Sequence, residues 1–188
     1  VEVPDQLPAE GSRGSLLYLG RFEPRKGVAT LIDALAILGP DAPPLRIAGD
    51  RYSPAALERS AAKRGLGNVT FLGEVTDERK WKLLRDAAAL VAPSVGGESF
   101  GIILLEAMAA GAIPIAADNP GYRHVIGERA GDLLFPVGDA AKLAARIREI
   151  LCDERRRIEL QAWGLRHHRG YSWDALAGRV EQVYRRAM

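Results

Sequence analysis

Gly96-Gly97-Glu98-Ser99-Phe100-Gly101-Ile102-Ile103-Leu104-Leu105-Glu106-Ala107-Met108-Ala109-Ala110-Gly111 is the stretch that decides the fold. The paired glycines read as a turn, residues 99–110 fit an apolar helix, and Gly111 stops it. Apolar runs of strand length flank it at 89–92 and 112–116. A strand, a glycine turn, a helix and another strand make one βαβ unit, whose strands run parallel because a helix returns the chain.

The same unit recurs outward. Towards the N-terminus, strands are expected at 15–19, 45–48 and 68–72, with helices at 27–38, 54–64 and 76–86 between them. Val28, Leu31, Ile32, Leu35 and Leu38 form one stripe on the first helix, and Gly39-Pro40 ends it. Thr76 is suited to cap the third helix; Arg79 stands where a capping box would need an acid. Towards the C-terminus the pattern predicts a short helix at 121–125, a strand at 132–135 and helices at 140–151, 153–166 and 172–187. Pro4, Pro8, Gly11 and Gly14 oppose regular structure. The chain thus divides into an extended lead-in over 1–14, an α/β, Rossmann-like three-layer domain with a mostly parallel sheet over 15–170, and a closing helix over 171–188. Repeated helical hairpins are the alternative.

Composition narrows the partners. The 26 basic and 24 acidic side chains leave a net charge of +2, too small a bias for a nucleic-acid partner. The bases cluster locally, at Arg21, Arg25 and Lys26 and again over 146–157, so a local anion site is compatible with a nearly neutral whole. Cys152 is the single cysteine, which excludes an internal disulfide and a multi-cysteine metal site. His124, His167 and His168 lack metal-ligand spacing and read as surface or packing residues. No apolar run approaches the roughly 20 residues of a membrane span, so a soluble domain is expected.

Two segments follow strands and can carry chemistry. In Gly20-Arg21-Phe22-Glu23-Pro24-Arg25-Lys26-Gly27 the glycine lets the backbone approach a ligand while the cations can neutralise phosphate oxygens. The helix that follows presents free amides. An ordinary solvated basic loop explains the same residues. In the second segment Glu98 is expected at a helix entrance, Ser99 as a cap, and Gly101 as the point of close ligand approach. Glu106 lies within a very apolar helix and needs a partner, because an isolated buried carboxylate is costly. A capping glutamate plus a salt-bridged one is one reading; a ligand with several hydroxyls, such as a sugar nucleotide, is the other. On one helix Glu98 and Glu106 would stand roughly 12 Å apart along the axis. That suits two parts of a long ligand better than two sides of one bond. Gly49-Asp50-Arg51 also follows a strand and could line the nucleotide site, though a polar turn explains it equally well; Asp118-Asn119 follows another and could face the cleft, towards the donor or the other domain.

The Glu98-to-Glu106 spacing with Ser-Phe-Gly after the first glutamate, the Gly20-Arg21 turn, Lys26-Gly27 and Asn68-Val69-Thr70-Phe71-Leu72-Gly73 together resemble the C-terminal domain of the retaining GT-B glycosyltransferases of family 4. Gly-Gly-Glu-Ser-Phe-Gly and Glu-Pro-Arg-Lys-Gly resemble the phosphatidylinositol mannosyltransferases within it. The resemblance implies a donor, GDP-mannose or another nucleotide sugar, bound without a metal or further cofactor. It places Gly20, Arg21 and Lys26 at the pyrophosphate and Glu106 at the ribose. Glu98 falls near the hexose, Ser99, Phe100, Gly101 and Ile102 near sugar and phosphate, and Gly73, Glu74 and Val75 at the base. Arg21, Lys26 and Glu98 would be the catalytic side chains. An N-terminal GT-B domain would supply the acceptor pocket for a lipid or glycan. On that reading the chain is the donor half of a cytoplasmic enzyme, peripheral to the membrane if the acceptor is a lipid, and transfers little sugar by itself. A noncatalytic nucleotide-sugar module and a UDP-sugar enzyme are the competing expectations. A nucleotide-sugar epimerase would need a glycine fingerprint and a Tyr/Lys pair, and neither is visible.

Overall fold

Short apolar runs bounded by glycine have only one economical way to bury both faces, as the middle layer of a sandwich. The computed structural model takes that form; it describes residues 14–49, 54–172, 175, 177, 181, 184 and 185. Six strands, β1 (Ser15–Leu19), β2 (Leu45–Ala48), β3 (Val69–Gly73), β4 (Ala87–Ala92), β5 (Ile113–Ala117) and β6 (Leu134–Phe135), pair in the order β3-β2-β1-β4-β5-β6. Every pairing is parallel. Every residue of β4 and β5 is buried, which explains why neither alternates apolar with polar.

The helices are α1 (Val28–Leu38), α2 (Ala55–Lys63), α3 (Asp77–Asp86), α4 (Ile102–Ala109), α5 (Pro120–Ile126), α6 (Ala130–Leu133), α7 (Ala140–Cys152) and α8 (Glu154–His167). One group, α1 with α2 and α7, and another, α4 with α3, α5 and α8, pack among themselves. Right-handed crossovers on either side of the reversal between β1 and β4 put the two groups on opposite faces. The expected stripe on α1 is the buried one: Val28, Leu31, Ile32, Leu35 and Leu38 are all in the core. Side-chain oxygens cap four of these eight helices, Thr76 on Arg79 N, Asn119 on Tyr122 N, Asp139 on Lys142 N and Asp153 on Arg156 N.

Two expectations need correction. The helix expected from residue 99 begins at Ile102, because Gly101 sits at φ +90°, outside the helical region, and leaves Glu98, Ser99 and Phe100 in the preceding loop. The strand expected at 132–135 shrinks to Leu134–Phe135, since a helical turn takes up Ala130–Leu133. The sheet is parallel throughout, beyond the mostly parallel expectation. Asp50, Arg51, most of the lead-in and most of the closing helix lie outside the described residues.

Gly27 joins the two central loops. It holds φ +70°, and a β-carbon there would lie 2.0 Å from the Pro93 carbonyl oxygen. Gly65 has the same φ, +70°, with open space around it. Gly27→Ala is therefore expected to cost about 3 kcal/mol or more, and Gly65→Ala only about 1 kcal/mol. Thermal unfolding checks this: the midpoint should fall roughly 6–12 °C for the first and about 2–4 °C for the second. Equal shifts would mean that strain in φ, and not the contact with Pro93, accounts for Gly27.

Candidate functional site

At the β1/β4 reversal the loop after β1 runs to one face of the sheet and the loop after β4 to the other, which opens a crevice between them. A cleft of about 620 Å³ lies there. The two loops are tied across it: Val95 N–H donates to the Arg25 carbonyl at 2.8 Å, and the Arg25 guanidinium donates to the Gly97 carbonyl at 3.3 Å. The neighbouring turns stack beside them, with Gly20 N–H on Ala48 O at 3.1 Å and Gly49 N–H on Gly73 O at 2.9 Å.

Most of the residues singled out in the sequence meet in this cleft. Gly20, Arg21, Lys26, Glu74, Val75, Glu98, Ser99, Phe100, Gly101 and Ile102 line it. Gly73 and Glu106 are absent from the lining; Gly73 closes β3, and Glu106 stands behind Lys80, which does line the cleft. Asp118 and Asn119 do not face it either. Asp118 pairs with Arg123, while buried Asn119 caps α5 and donates to the Ser94 carbonyl at 3.4 Å.

The basic loop is partly neutralised from within. Glu23 pairs with Arg21 at 2.9 Å and with Arg25 at 2.6 Å. Lys26 Nζ donates to Glu98 Oε1 at 2.5 Å, and Ser94 Oγ donates to the same oxygen at 2.7 Å. Glu98 therefore does not lie on the amides of a helix, as expected, nor does it share a helix with Glu106: the N-cap of α4 is Gly101, with no side-chain cap. Ser99 caps nothing for the same reason. The separation along one helix axis does not apply, because the left-handed turn at Gly101 breaks the path between the two carboxylates.

Glu106 has the partner its burial requires. Lys80 Nζ approaches it at 3.0 Å and reaches Asp77 at 3.2 Å. Burial alone would lower the Lys80 ammonium, yet the hydrogen bond and charge of Glu106, with those of Asp77, hold it above the usual lysine range. Lys80, Ser94, Tyr18 and Tyr122 line the cleft and escaped the sequence reading. Only Lys80 left a signal, as a cation one turn into a helix in a chain whose Glu106 demanded one. Tyr18 donates its hydroxyl to the Arg21 carbonyl at 2.8 Å and so holds the basic loop from below. The Tyr122 ring lies where a β-carbon on Gly101 would come within 2.7 Å of it. Phe100 meets Tyr171 edge-on at 5.7 Å between ring centroids. His124 is exposed, while His167 stacks on Trp163 at 4.6 Å between ring centroids.

The family model described as glycosyl transferases group 1 matches residues 2–164. A phosphatidyl-myo-inositol mannosyltransferase of Mycolicibacterium smegmatis is 37% identical over 181 residues, 96% of this chain and 46% of that protein. A D-inositol 3-phosphate glycosyltransferase of Thermobispora bispora is 30% identical over 193 residues, 97% of this chain and 45% of that one. The chain thus spans about half the length of the curated relatives it matches. Among solved structures, sucrose-phosphate synthase from Thermosynechococcus elongatus superposes with a TM-score of 0.80 at 31% identity, covering 96% of this chain and 46% of that one.

Burial, and then the charges of Glu98 and other neighbours, push the Tyr122 phenol up to about 12 and raise Tyr18 further still. Both folded values exceed the unfolded one. The stability they contribute is therefore complete below about pH 10 and is lost as pH rises through the folded values. Alkaline titration by tyrosinate absorbance should show both phenols ionising above the ordinary tyrosine range, with the thermal midpoint falling in the same window. Tyr122→Phe should remove one late phenol; two phenols that ionise at the ordinary tyrosine value would refute their burial under the cleft.

Proposed function

Because the chain belongs to the group 1 glycosyl transferases, we propose that it is the nucleotide-sugar half of a hexosyltransferase that takes mannose from GDP-mannose with retention at the anomeric carbon. The observation that carries the reading is the meeting of Arg21, Lys26 and Glu98 in one cleft at the reversal of strand order. Cations and a carboxylate in one crevice match a ligand with a charged middle and hydroxylated ends.

In this reading Arg21 and Lys26 hold the pyrophosphate, with Gly20 giving the backbone close approach. Glu98 accepts from a hexose hydroxyl. Glu106, braced by Lys80, accepts from the ribose hydroxyls, and Gly73, Glu74 and Val75 border the base. Ser99, Phe100, Gly101 and Ile102 shape the passage between sugar and phosphate. Breaking the anomeric carbon–oxygen bond puts positive charge on the sugar ring and negative charge on the departing phosphate. Arg21 and Lys26 stabilise the second, most effectively when a facing domain excludes water. The leaving phosphate then assists attack on the same face, which preserves configuration. An inositol-containing acceptor is the favoured class, since both curated relatives carry inositol in their names. It would bind between this chain and an N-terminal GT-B domain.

Calorimetric titration with GDP and UDP, without added divalent metal, tests the reading. Preference for GDP supports the mannosyl donor; preference for UDP keeps the sugar-nucleotide site and removes mannose. Lys26→Ala is expected to weaken the preferred nucleotide at least about ten-fold, the scale of one charge-assisted hydrogen bond, with a shift of only a few degrees in thermal midpoint. A folded chain that binds neither nucleotide refutes a competent donor site in this chain.

A further inference from the structure

Glu98 bridges the phosphate cation and the sugar end of the cleft through a single oxygen. Oε1 takes Lys26 Nζ at 2.5 Å and Ser94 Oγ at 2.7 Å, with the Arg25 guanidinium 3.8 Å away. Among the described residues no hydrogen bond ends on Oε2. Ser94 is 2% exposed, and its carbonyl accepts from the Asn119 amide that caps α5. A buried, fixed hydroxyl therefore orients the carboxylate. The pair is itself largely shielded, the side chains of Lys26 and Glu98 being 18% and 13% exposed.

Building on the donor site proposed above, we infer that Glu98, oriented by Ser94, makes the cleft discriminate a sugar-bearing nucleotide from the free nucleoside diphosphate that leaves after transfer. The reasoning is an inventory of charge and donors. An anion that reaches Lys26 has to share it with a carboxylate already in contact. A sugar nucleotide offsets this competition, because its hexose hydroxyls can donate to Oε2. The free diphosphate cannot: its terminal phosphate has only acceptor oxygens at neutral pH, and it carries more negative charge than the esterified form. Acceptor faces acceptor and like charges meet. Glu98 thus favours the substrate and opposes the product, an element of repulsion placed where specificity needs one.

Titrating wild type and Glu98→Gln with GDP and with GDP-mannose tests this, or with UDP and UDP-glucose if wild type prefers uridine. Without the carboxylate, Lys26 is released and the amide can donate to phosphate. The variant is expected to bind the diphosphate about five-fold more tightly and the sugar nucleotide about ten-fold more weakly. The opposite signs are the signature, because a merely structural defect weakens both. Ser94→Ala keeps the charge and frees its orientation. It should weaken the sugar nucleotide about three-fold and leave the diphosphate unchanged, and it decides the matter if Glu98→Gln does not fold. Equal losses of both ligands in a folded variant overturn the inference while leaving the donor site intact. A wild type that binds neither ligand overturns both.

Discussion

The parallel pairing of β1 with β4 is the constraint on which the rest of this structure depends. Leu16 lies beside Ala89 and Leu17 beside Leu90, all buried, at the middle of the sheet. From that seam the order runs to β3 on one side and to β6 on the other. Loops leaving adjacent strand ends must diverge to opposite faces, and the space between them cannot be filled by either helix. The crevice follows from topology before any particular side chain is considered. The two central loops are then tied to each other by the Val95–Arg25 backbone bond and by the fit of Gly27 against Pro93.

Within the crevice the same chemical problem is solved twice. A site for an anion needs cations held in place, yet unpaired cations in a half-buried cleft are costly. Glu23 and Glu98 fix Arg21, Arg25 and Lys26, while Glu106 and Asp77 fix Lys80. Each carboxylate lowers the cost of its partner's burial and limits its freedom. Each cation is therefore held in place at the expense of sharing its charge with a carboxylate. Beneath them Tyr18 and Tyr122 supply bulk and no charge, since burial keeps both phenols protonated.

Legibility followed the range of the interactions involved. The α1 stripe, the stop at Gly39 and the Thr76 cap depend on residues within a turn of one another, and all three were plain in the sequence. The start of α4 was misjudged because Ser99 and Phe100 have ordinary helical neighbours. Only the left-handed backbone at Gly101, next to the Tyr122 ring, excludes them. Lys80 and Ser94 were missed although each contacts a glutamate that had been identified. Lys80 is 26 residues from Glu106, and Ser94 has no motif of its own beyond its proximity to Glu98.

The sequence by itself determined the alternation of strand and helix, the parallel sense of the sheet, and the charged residues Arg21, Arg25, Lys26, Glu98 and Glu106 as the ones to follow. Those follow from periodicity, from glycine at strand ends and from the cost of burying charge. Tertiary structure alone decided which strand lies beside which, and so which loops face each other. It also decided that Glu98 rests on Lys26 and Ser94 and not on helical amides, and that Glu106 pairs with Lys80. The physical reason is range. Local rules fix the conformation of each segment, but the pairing of a carboxylate in one loop with a lysine 72 positions earlier exists only after the sheet has brought two distant strand ends together.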